Sequence, residues 1–217
     1  YIYAAFADTR EAAFWLDQSG NDNDWQPVNL DHNDTVADSP TDNFATINPL
    51  AMWSNYSVEL SQGNLEHTVS TINDQGFSSI AIPEGKKIYA EHRIKTVGTG
   101  RSGIKLSDDS SQWGGIDYLW YAGQIRVNDS SVQSSLPSCG VGDIVGFAVD
   151  NSAGSIQFYK NGTAVGTAIS FTTSPNWLFK SGRNGSSGNA DVVTWNFGQQ
   201  PFANTPPTDY LALSTAN

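Results

Sequence analysis

One glycine-rich stretch of the sequence has the spacing of a nucleotide-binding loop. Residues 98–103, GTGRSG, fit the pattern G-x-G-x-x-G and follow a predicted strand. A dinucleotide site needs a helix directly after these glycines, because the helix N-terminus binds the pyrophosphate. Residues 104–109, IKLSDD, instead have the pattern of a strand followed by a turn. The stretch is therefore predicted to be a flexible hairpin tip.

The three histidines and the single cysteine lack the spacing of a catalytic or metal-binding site. Nucleophilic catalysis needs a Ser or Cys with a histidine in hydrogen-bond reach, and the sequence contains no G-x-S-x-G motif. His32, His67 and His92 do not have the i, i+2 or i, i+4 spacing expected of metal ligands. We expect each histidine to be a solvated or core imidazole, and Cys139 to be a small buried thiol.

The carboxylates give little support for catalysis. Glycoside hydrolysis needs two carboxylates about 5–9 Å apart across a cleft. Glu59 and Glu91 have no acidic neighbour on the same face of their predicted strands, so a polysaccharide-degrading glycanase is kept only as an alternative. No cofactor is predicted. Acid pairs in turns could chelate Ca²⁺, although solvated turn acids are the simpler interpretation of Asp22/Asp24, Asp31/Asp34 and Asp108/Asp109.

Aromatic side chains are concentrated around one short predicted strand, 118–121. Alternation along this strand places Tyr118 and Trp120 on one face, and Leu119 and Tyr121 on the other. One face is expected to be core, while the other could stack against a sugar or a peptide; core packing is the alternative for these aromatics. Neighbouring polar residues and the Gly/Ser-rich loop 181–189 complete the candidate surface. The predicted ligand-binding residues are Trp113, Asp117, Tyr118, Trp120, Tyr121, Arg126 and Arg183.

Composition excludes two classes of partner. The 217 residues carry 11 Lys and Arg against 22 Asp and Glu, a net charge of −11. Binding to nucleic acid or to an anionic membrane needs clustered cations, so neither is expected. No apolar run approaches the ~20 residues that span a bilayer. Hydrophobic residues make up 38% of the chain, enough for a core that buries roughly 70% of the unfolded surface.

The pattern of short alternating runs predicts an all-β fold of two packed antiparallel sheets. The segment 142–169 predicts a three-stranded meander, because Asn161-Gly162 favours a type I′ hairpin turn. Residues 9–16 predict either a short helix or an extended segment. We expect residues 1–42 to be an extended N-terminal segment, made of the end of a preceding module and a polar linker, and residues 43–217 to form the sandwich. The predicted strands are Tyr1–Ala7, Phe44–Ile47, Tyr56–Leu60, Glu66–Thr71, Gly76–Ile82, Lys87–Val97, Ser102–Leu106, Tyr118–Tyr121, Gln124–Val127, Asp143–Asp150, Ser155–Tyr159, Thr163–Ile169, Trp177–Lys180 and Val192–Phe197.

Three segments of the sequence resemble the SPRY domain. GDIVGFAVDNSAGSIQFYKNG (142–162) resembles the core of that family, with Gly-Asp before a strand and a Phe-x-x-Asn-Gly hairpin. GKKIYAEHRI (85–94) is similar to an earlier strand with an aromatic-x-Glu pattern, and VVTWNFGQQPFANTPPTDYLALSTAN (192–217) to the closing strand. The resemblance implies a jelly-roll or concanavalin-like sandwich that binds partners through loops and does not catalyse a reaction. Residues 96–114 lack the aromatic-rich second motif of the family, so contact residues are not transferred from it.

A narrower resemblance covers the whole chain and is clearest in two segments near its start. YIYAAFADTREAAFWLDQSGNDNDW (1–25) and DSPTDNFATINPL (38–50) resemble segments of tail-fibre and other virion proteins of marine bacteriophages. This implies an extracellular virion location and adhesion to a host surface glycan or protein, or binding to other virion proteins. A purely structural capsid or tail decoration module is the alternative. A homo-oligomer would fit this family, although no heptad or β-helix repeat in the sequence indicates an oligomeric state.

Overall fold

The structure, a computed structural model, describes residues 42–53, 58–185 and 188–217. Over these residues it is all-β, with fourteen strands and no helix. The predicted strand Tyr1–Ala7 and the helix candidate 9–16 lie outside the described residues, and so does almost all of segment 1–42. The division between residues 1–42 and 43–217 therefore stays a prediction. The strands are β1 (Ile47–Trp53), β2 (Val58–Ser61), β3 (Glu66–Val69), β4 (Gln75–Ser78), β5 (Lys87–Thr96), β6 (Gly100–Leu106), β7 (Ile116–Leu119), β8 (Gln124–Val127), β9 (Ser130–Gln133), β10 (Ile144–Asp150), β11 (Ser155–Lys160), β12 (Thr163–Ser170), β13 (Trp177–Arg183) and β14 (Asp191–Asn196).

The strands form two seven-stranded antiparallel sheets. Sheet A has the order β1-β4-β13-β6-β7-β8-β9, and sheet B has the order β12-β11-β10-β5-β14-β3-β2. Some neighbours are consecutive in the sequence, such as β6 to β9 and β10 to β12. Others come from distant parts of the sequence, such as β13 between β4 and β6, because the chain crosses between the sheets. The predicted fold class, a two-sheet antiparallel sandwich, is confirmed. Among the described residues, no helix has the length and hydropathy needed to span a bilayer.

The predicted meander 142–169 is confirmed and lies at one side of sheet B. β10 is buried along its whole length between β5 and β11, which explains why both of its faces are apolar. The turn to β12 has positive φ at Asn161 (49°) and Gly162 (79°), as a type I′ hairpin requires. The Asn161 side chain accepts a hydrogen bond from the Ile144 N–H (2.8 Å) and donates one to Asp143 (2.7 Å). This turn therefore also holds the start of β10.

Aromatic side chains fill the space between the sheets. Phe147 of β10 lies 5.2 Å from Trp195 of β14, measured between ring centroids, and Trp195 stacks on Phe197 at 5.1 Å with an interplanar angle of 2°. Phe179 from sheet A contacts all three rings at centroid distances of 6.0 Å. Offset and edge-on contacts of this kind add to the stability that burial of the rings supplies.

Two histidines of sheet B reach across the core to serines of sheet A. Nδ1 of His67 lies 2.7 Å from the Ser181 Oγ, and Nε2 of His92 lies 2.9 Å from the Ser102 Oγ. Each hydroxyl also accepts an indole N–H, from Trp195 (3.1 Å) and from Trp120 (3.2 Å) respectively. Ser102 and Ser181 are direct cross-strand partners on β6 and β13. These two His–Ser–Trp triplets therefore fix the register of one sheet over the other.

The C-terminal residues 199–217 cover part of the outer face of sheet B. The Ala203 N–H donates to Oε1 of Glu91 (2.6 Å), and the Tyr89 hydroxyl donates to Oε2 (3.3 Å). Phe202 packs edge-on against Tyr89 at 4.9 Å. Burial, together with the charge of Glu91, raises the pKa of Tyr89 above its ordinary value. Glu91, one of the two acids considered for glycoside hydrolysis, thus lies beneath the tail and binds its backbone.

Several predicted boundaries were wrong, for identifiable reasons. β9 was missed because its sequence, SSVQ, contains a single apolar residue. β13 continues through Arg183, whereas a loop was predicted from residue 181. Phe44 forms only an isolated bridge with Ser214, and the first described strand begins at Ile47. These elements depend on pairing with distant strands, which local patterning does not reveal.

The glycine-rich stretch 98–103 is a hairpin tip leading into a strand, so the helix needed for a dinucleotide is absent. This tip is held by Asp191, which accepts the N–H groups of Gly98 (2.7 Å) and Thr99 (3.0 Å). A side chain at Gly100 would place its Cβ 1.8 Å from the Trp120 ring, and one at Gly103 would place it 1.8 Å from the Ile116 carbonyl oxygen. These two glycines are required for close packing.

Candidate functional site

Two of the predicted aromatic residues belong to the core. Tyr118 and Trp120 are 0% and 1% exposed, on the inner side of sheet A. The Tyr118 hydroxyl donates to the Pro137 carbonyl, and the Trp120 indole donates to Ser102. Tyr118 and Trp120 do share one face of the strand, as predicted, and this face points into the core. Both residues are therefore core residues, which was the alternative given for them. A ligand on the surface would not reach them.

The other predicted residues of β7 and β8 lie on the outer face of sheet A. Gly103 pairs with Asp117 on one side and with Lys180 on the other, and Asp117 pairs with Arg126. Cross-strand partners share a face, so Asp117, Arg126 and Lys180 point to the same side of the sheet. This side is where the charged side chains of sheet A meet.

Arg101 connects the predicted residues to one another. Its guanidinium is 1% exposed and donates to Asp117, to Asp129 (3.0 Å) and to Asn184 (2.9 Å). Its central carbon lies 4.3 Å from the ring centroid of Trp113, a cation–π geometry. Arg101 was not among the predicted ligand-binding residues.

The buried carboxylate of Asp117 lies between two cations. It is 0% exposed and contacts both Arg101 and the Lys180 Nζ, the latter at 3.0 Å. Burial lowers the pKa of Lys180 to about 8; the Asp117 charge opposes this shift, and the Arg101 charge adds to it. A lysine of this pKa could act as a nucleophile, but its side chain is only 2% exposed, so its role here is structural.

Side chains of this outer face hold the loop between β6 and β7. Nζ of Lys180 donates to the Gly114 carbonyl (2.8 Å), Gln75 to the Gln112 carbonyl (2.6 Å), and Lys105 to the Ser111 carbonyl. Burial lowers the pKa of Lys105 as well. Because Trp113 lies within this loop, the same contacts fix its indole over Arg101.

Five residues around Arg101 remain accessible and form what we call the rim surface. Trp113, Tyr121, Arg126 and Asn184 are half-buried, and Asp129 is exposed. Asp129 accepts from Arg126 (3.1 Å) as well as from Arg101. Asn184 bonds Arg101 through its oxygen and donates to the Tyr121 hydroxyl (3.3 Å) through its nitrogen. Of the predicted residues, the structure thus brings together Trp113, Asp117, Tyr121 and Arg126.

Arg183 is not on an exposed loop as predicted. It lies at the end of β13 and is 1% exposed. Its guanidinium donates to the carbonyl groups of Gly185 (2.7 Å), Gly188 (3.1 Å) and Asn189. Strand β13 continues past residue 180 because it pairs with β6 as far as Gly100. Arg183 therefore holds the neighbouring loop from the inside, and that loop in turn contacts Thr99 through Gly185.

Alternation along β6 was the signal that could have revealed the missed residues. Arg101, Gly103 and Lys105 share one face of the strand, and two cations there require carboxylates nearby. The same reasoning applied to β13 selects Lys180. Residues 98–103 were predicted only as a hairpin tip, so this face of β6 was missed.

No metal site is apparent in the part of the chain that the structure describes. There, no three His, Cys, Asp or Glu residues converge in a way that could hold an ion. Asp109 instead accepts the Ser111 N–H (2.8 Å) and hydroxyl (2.5 Å). The acid pairs Asp22/Asp24 and Asp31/Asp34 lie outside the described residues.

Comparison with solved structures finds SPRY domains. The crystal structure of the SPRY domain of human HERC1 has a TM-score of 0.58 at 18% identity, covering 71% of this chain and 99% of that one. A crystal structure of a human SPRY domain has a TM-score of 0.51 at 15% identity, covering 67% and 98%. The fold is SPRY-like. No protein-family model and no curated protein matches the chain. The fold that the SPRY resemblance implied is confirmed, while the bacteriophage origin stays a prediction.

Proposed function

We propose that the SPRY-like sandwich is a non-catalytic module that binds a protein partner through the rim surface. The observation that carries this proposal is the fixed position of Trp113 over Arg101, beside the accessible Tyr121 and Arg126. Trp, Tyr and Arg are the residues that most often dominate the binding energy of protein interfaces. The SPRY-like neighbours support a binding module over an enzyme.

The ionic network beneath the rim surface supports binding by preorganisation. Asp117, Lys180 and Arg101 are all buried and hold the loop of Trp113 and the side chain of Asn184 in place. A surface that is already ordered loses less conformational entropy when a partner binds. The contact energy of the rim residues would therefore be retained as affinity.

The buried Ser–His pairs do not favour catalysis. Ser102, Ser181, His67 and His92 are at most 3% exposed, so a substrate would have no access to them in the folded sandwich. Nor does Glu91, covered by the C-terminal tail, face a second carboxylate among its described contacts. A glycanase stays the alternative. Release of reducing sugar from host polysaccharide by the protein would support it.

The finer proposal is that this module belongs to a bacteriophage virion and attaches it to a host surface protein or glycan. It rests on the sequence resemblance of segments 1–25 and 38–50 to virion proteins. A structural decoration module, bound only to other virion proteins, is the second candidate. Finding the chain in purified virions, by mass spectrometry, would support either candidate, and binding to host cells would support attachment.

Binding to host envelope preparations tests the proposed function. The isolated chain should bind untreated envelopes, and protease treatment of the envelopes should abolish binding while removal of glycans leaves it intact. Tyr121→Ala and Arg126→Ala should each weaken binding about tenfold or more. Lys95→Ala, an exposed residue of sheet B, is the matched control. Binding that survives protease treatment, or that depends equally on Lys95, would contradict a protein partner at the rim surface.

A further inference from the structure

Strand β12 is an edge strand of sheet B. Within the described residues it pairs with β11 on one side only. Six of its eight residues are exposed, and its sequence, TAVGTAIS, contains no charge and no proline. Natural edge strands are commonly protected by charges, prolines, short length or a β-bulge. β12 lacks the first three of these devices and has only a bulge, which makes it a candidate for pairing with another strand.

One glutamine from sheet A occupies the middle of this edge. The Gln133 amide donates to the Thr167 carbonyl (2.9 Å) and accepts the Thr167 N–H (2.9 Å). These are the two hydrogen bonds that a residue of a neighbouring antiparallel strand would make. Three residues of β12, 166–168, lie opposite Gln157 alone, and this bulge turns the Thr167 peptide groups away from β11. The Gln133 amide thus makes the hydrogen bonds that a residue of a neighbouring strand would make with Thr167.

We propose that β12 pairs with β12 of a second copy of this chain, and that Gln133 occupies the pairing position in the monomer. Thr167 is the residue whose peptide groups point outward, so the two-fold axis of an antiparallel pair would pass midway between the two copies of Thr167. Thr167 then faces its own copy, Val165 faces Ile169, and Ala164 faces Ser170. Every facing pair is uncharged, so two copies are self-complementary along this edge, as an isologous contact requires.

Charge gives the proposed pairing a distinctive salt dependence. Each chain carries a net charge of −11, so two copies repel one another, whereas the strand that joins them is neutral. Salt screens repulsion between exposed charges but hardly affects hydrogen bonds between neutral strands. Association should therefore strengthen as salt is raised, the opposite of an interface built on ion pairs.

Analytical ultracentrifugation of Gln133→Ala tests the proposal. Wild type should dimerise weakly, and Gln133→Ala should dimerise about tenfold more tightly, because the competing side chain is gone. Both dimers should strengthen between about 0.05 M and 0.5 M NaCl. Gln124→Ala, which removes a glutamine amide from β8 without uncovering an edge, is the control and should match wild type. A Gln133→Ala protein that stays monomeric at millimolar concentration would overturn the proposal.

A charge exchange at the axis tests the register. In the Gln133→Ala background, Thr167→Lys places two lysines opposite each other and Thr167→Asp two carboxylates, so each variant alone should be monomeric. A mixture of the two should form a heterodimer. Dimers of either single variant, or no association in the mixture, would show that the strands do not pair through Thr167.

Hydrogen exchange keeps the proposal testable if Gln133→Ala does not fold. In wild type, the amides of residues 163–170 should exchange more slowly as the protein concentration rises, while those of edge strand β2 should not change. Concentration-independent exchange in β12 up to millimolar protein would overturn the proposal. This test involves no residue of the rim surface, so its outcome is independent of the proposed function.

Discussion

Two of the buried polar networks in the described part of the sandwich are built differently. Between the sheets, the His–Ser–Trp triplets are neutral and join elements that are far apart in sequence. On the outer face of sheet A, Asp117, Arg101 and Lys180 are charged and hold a loop and the rim surface. A neutral network can be buried entirely away from water, whereas buried charges need partners of opposite charge within contact distance. The core network therefore aligns the sheets, and the outer one supports an accessible surface.

The largest expected effect comes from removing the carboxylate at the centre of the charged network. Asp117→Ala leaves Arg101 and Lys180 buried without their shared counter-charge, which should cost about 3–5 kcal/mol of unfolding free energy. Asp129→Ala removes a partner of the same arginine, but that carboxylate is 43% exposed, and its loss should cost less than about 1 kcal/mol. Denaturant unfolding of both variants measures the difference. Similar losses for the two would mean that burial does not distinguish the two carboxylates.

Mild acid should lower the stability of the fold through the two histidines of the neutral network. Burial lowers the pKa of His67 to about 4 and that of His92 to about 3, against 6.5 for an unperturbed histidine. Below pH 6.5 the unfolded chain takes up protons that the folded chain does not, so stability falls as the pH falls towards the folded pKa values. Below pH 6.5, each histidine lowers the free energy of unfolding by about 1.4 kcal/mol per pH unit. Because only about one pH unit of the interval from pH 7.5 to 5.5 lies below 6.5, the two histidines together remove roughly 3 kcal/mol over that interval.

Replacing one histidine checks the origin of this acid sensitivity. Asn places a polar atom near the position of Nδ1, so His67→Asn can retain a bond to Ser181 without titrating. Denaturant unfolding at several pH values gives the free energy of unfolding as a function of pH. Below pH 6 its slope in His67→Asn should be near 1.4 kcal/mol per pH unit, about half the wild-type slope. An unchanged slope would assign the acid sensitivity to other groups.

Loss of a single hydroxyl in the neutral network should have a smaller effect. Ser181→Ala leaves the Trp195 indole N–H and the His67 Nδ1 without their shared partner. An unpaired buried polar group costs about 1–3 kcal/mol. Ser130→Ala, an exposed serine of β9, should be neutral in the same denaturant titration. A neutral Ser181→Ala would indicate that the triplet contributes no net stability.

The sequence predicted the fold better than it predicted the site. The meander was predictable because β10 is apolar on both faces and Asn161-Gly162 fits only a few turn types. The strand β9, with one apolar residue in four, could not be recognised locally. The His67–Ser181 bond joins residues 114 positions apart, and neither residue has a local pattern that indicates the other.

The aromatic cluster shows why the site was only partly predicted. Alternation separated Tyr118 and Trp120 from Tyr121, but it did not indicate which face would be inside. Trp113 became a rim residue because its loop folds back over Arg101, a contact between the loop and a strand that precedes it by about a dozen residues. Charged side chains on β6 and β13 made that contact, and their meeting depends on the pairing of strands about 80 residues apart in the sequence.

One paired measurement tests the separation of core and rim most directly: denaturant unfolding and partner binding, each for Trp120→Ala and Trp113→Ala. Trp120 is 1% exposed, and its loss should cost about 3–5 kcal/mol of stability. The unfolding free energy of Trp113→Ala should lie within about 1 kcal/mol of the wild-type value, but this variant should lose binding to untreated host envelopes. Wild-type binding by a folded Trp113→Ala protein would contradict the account.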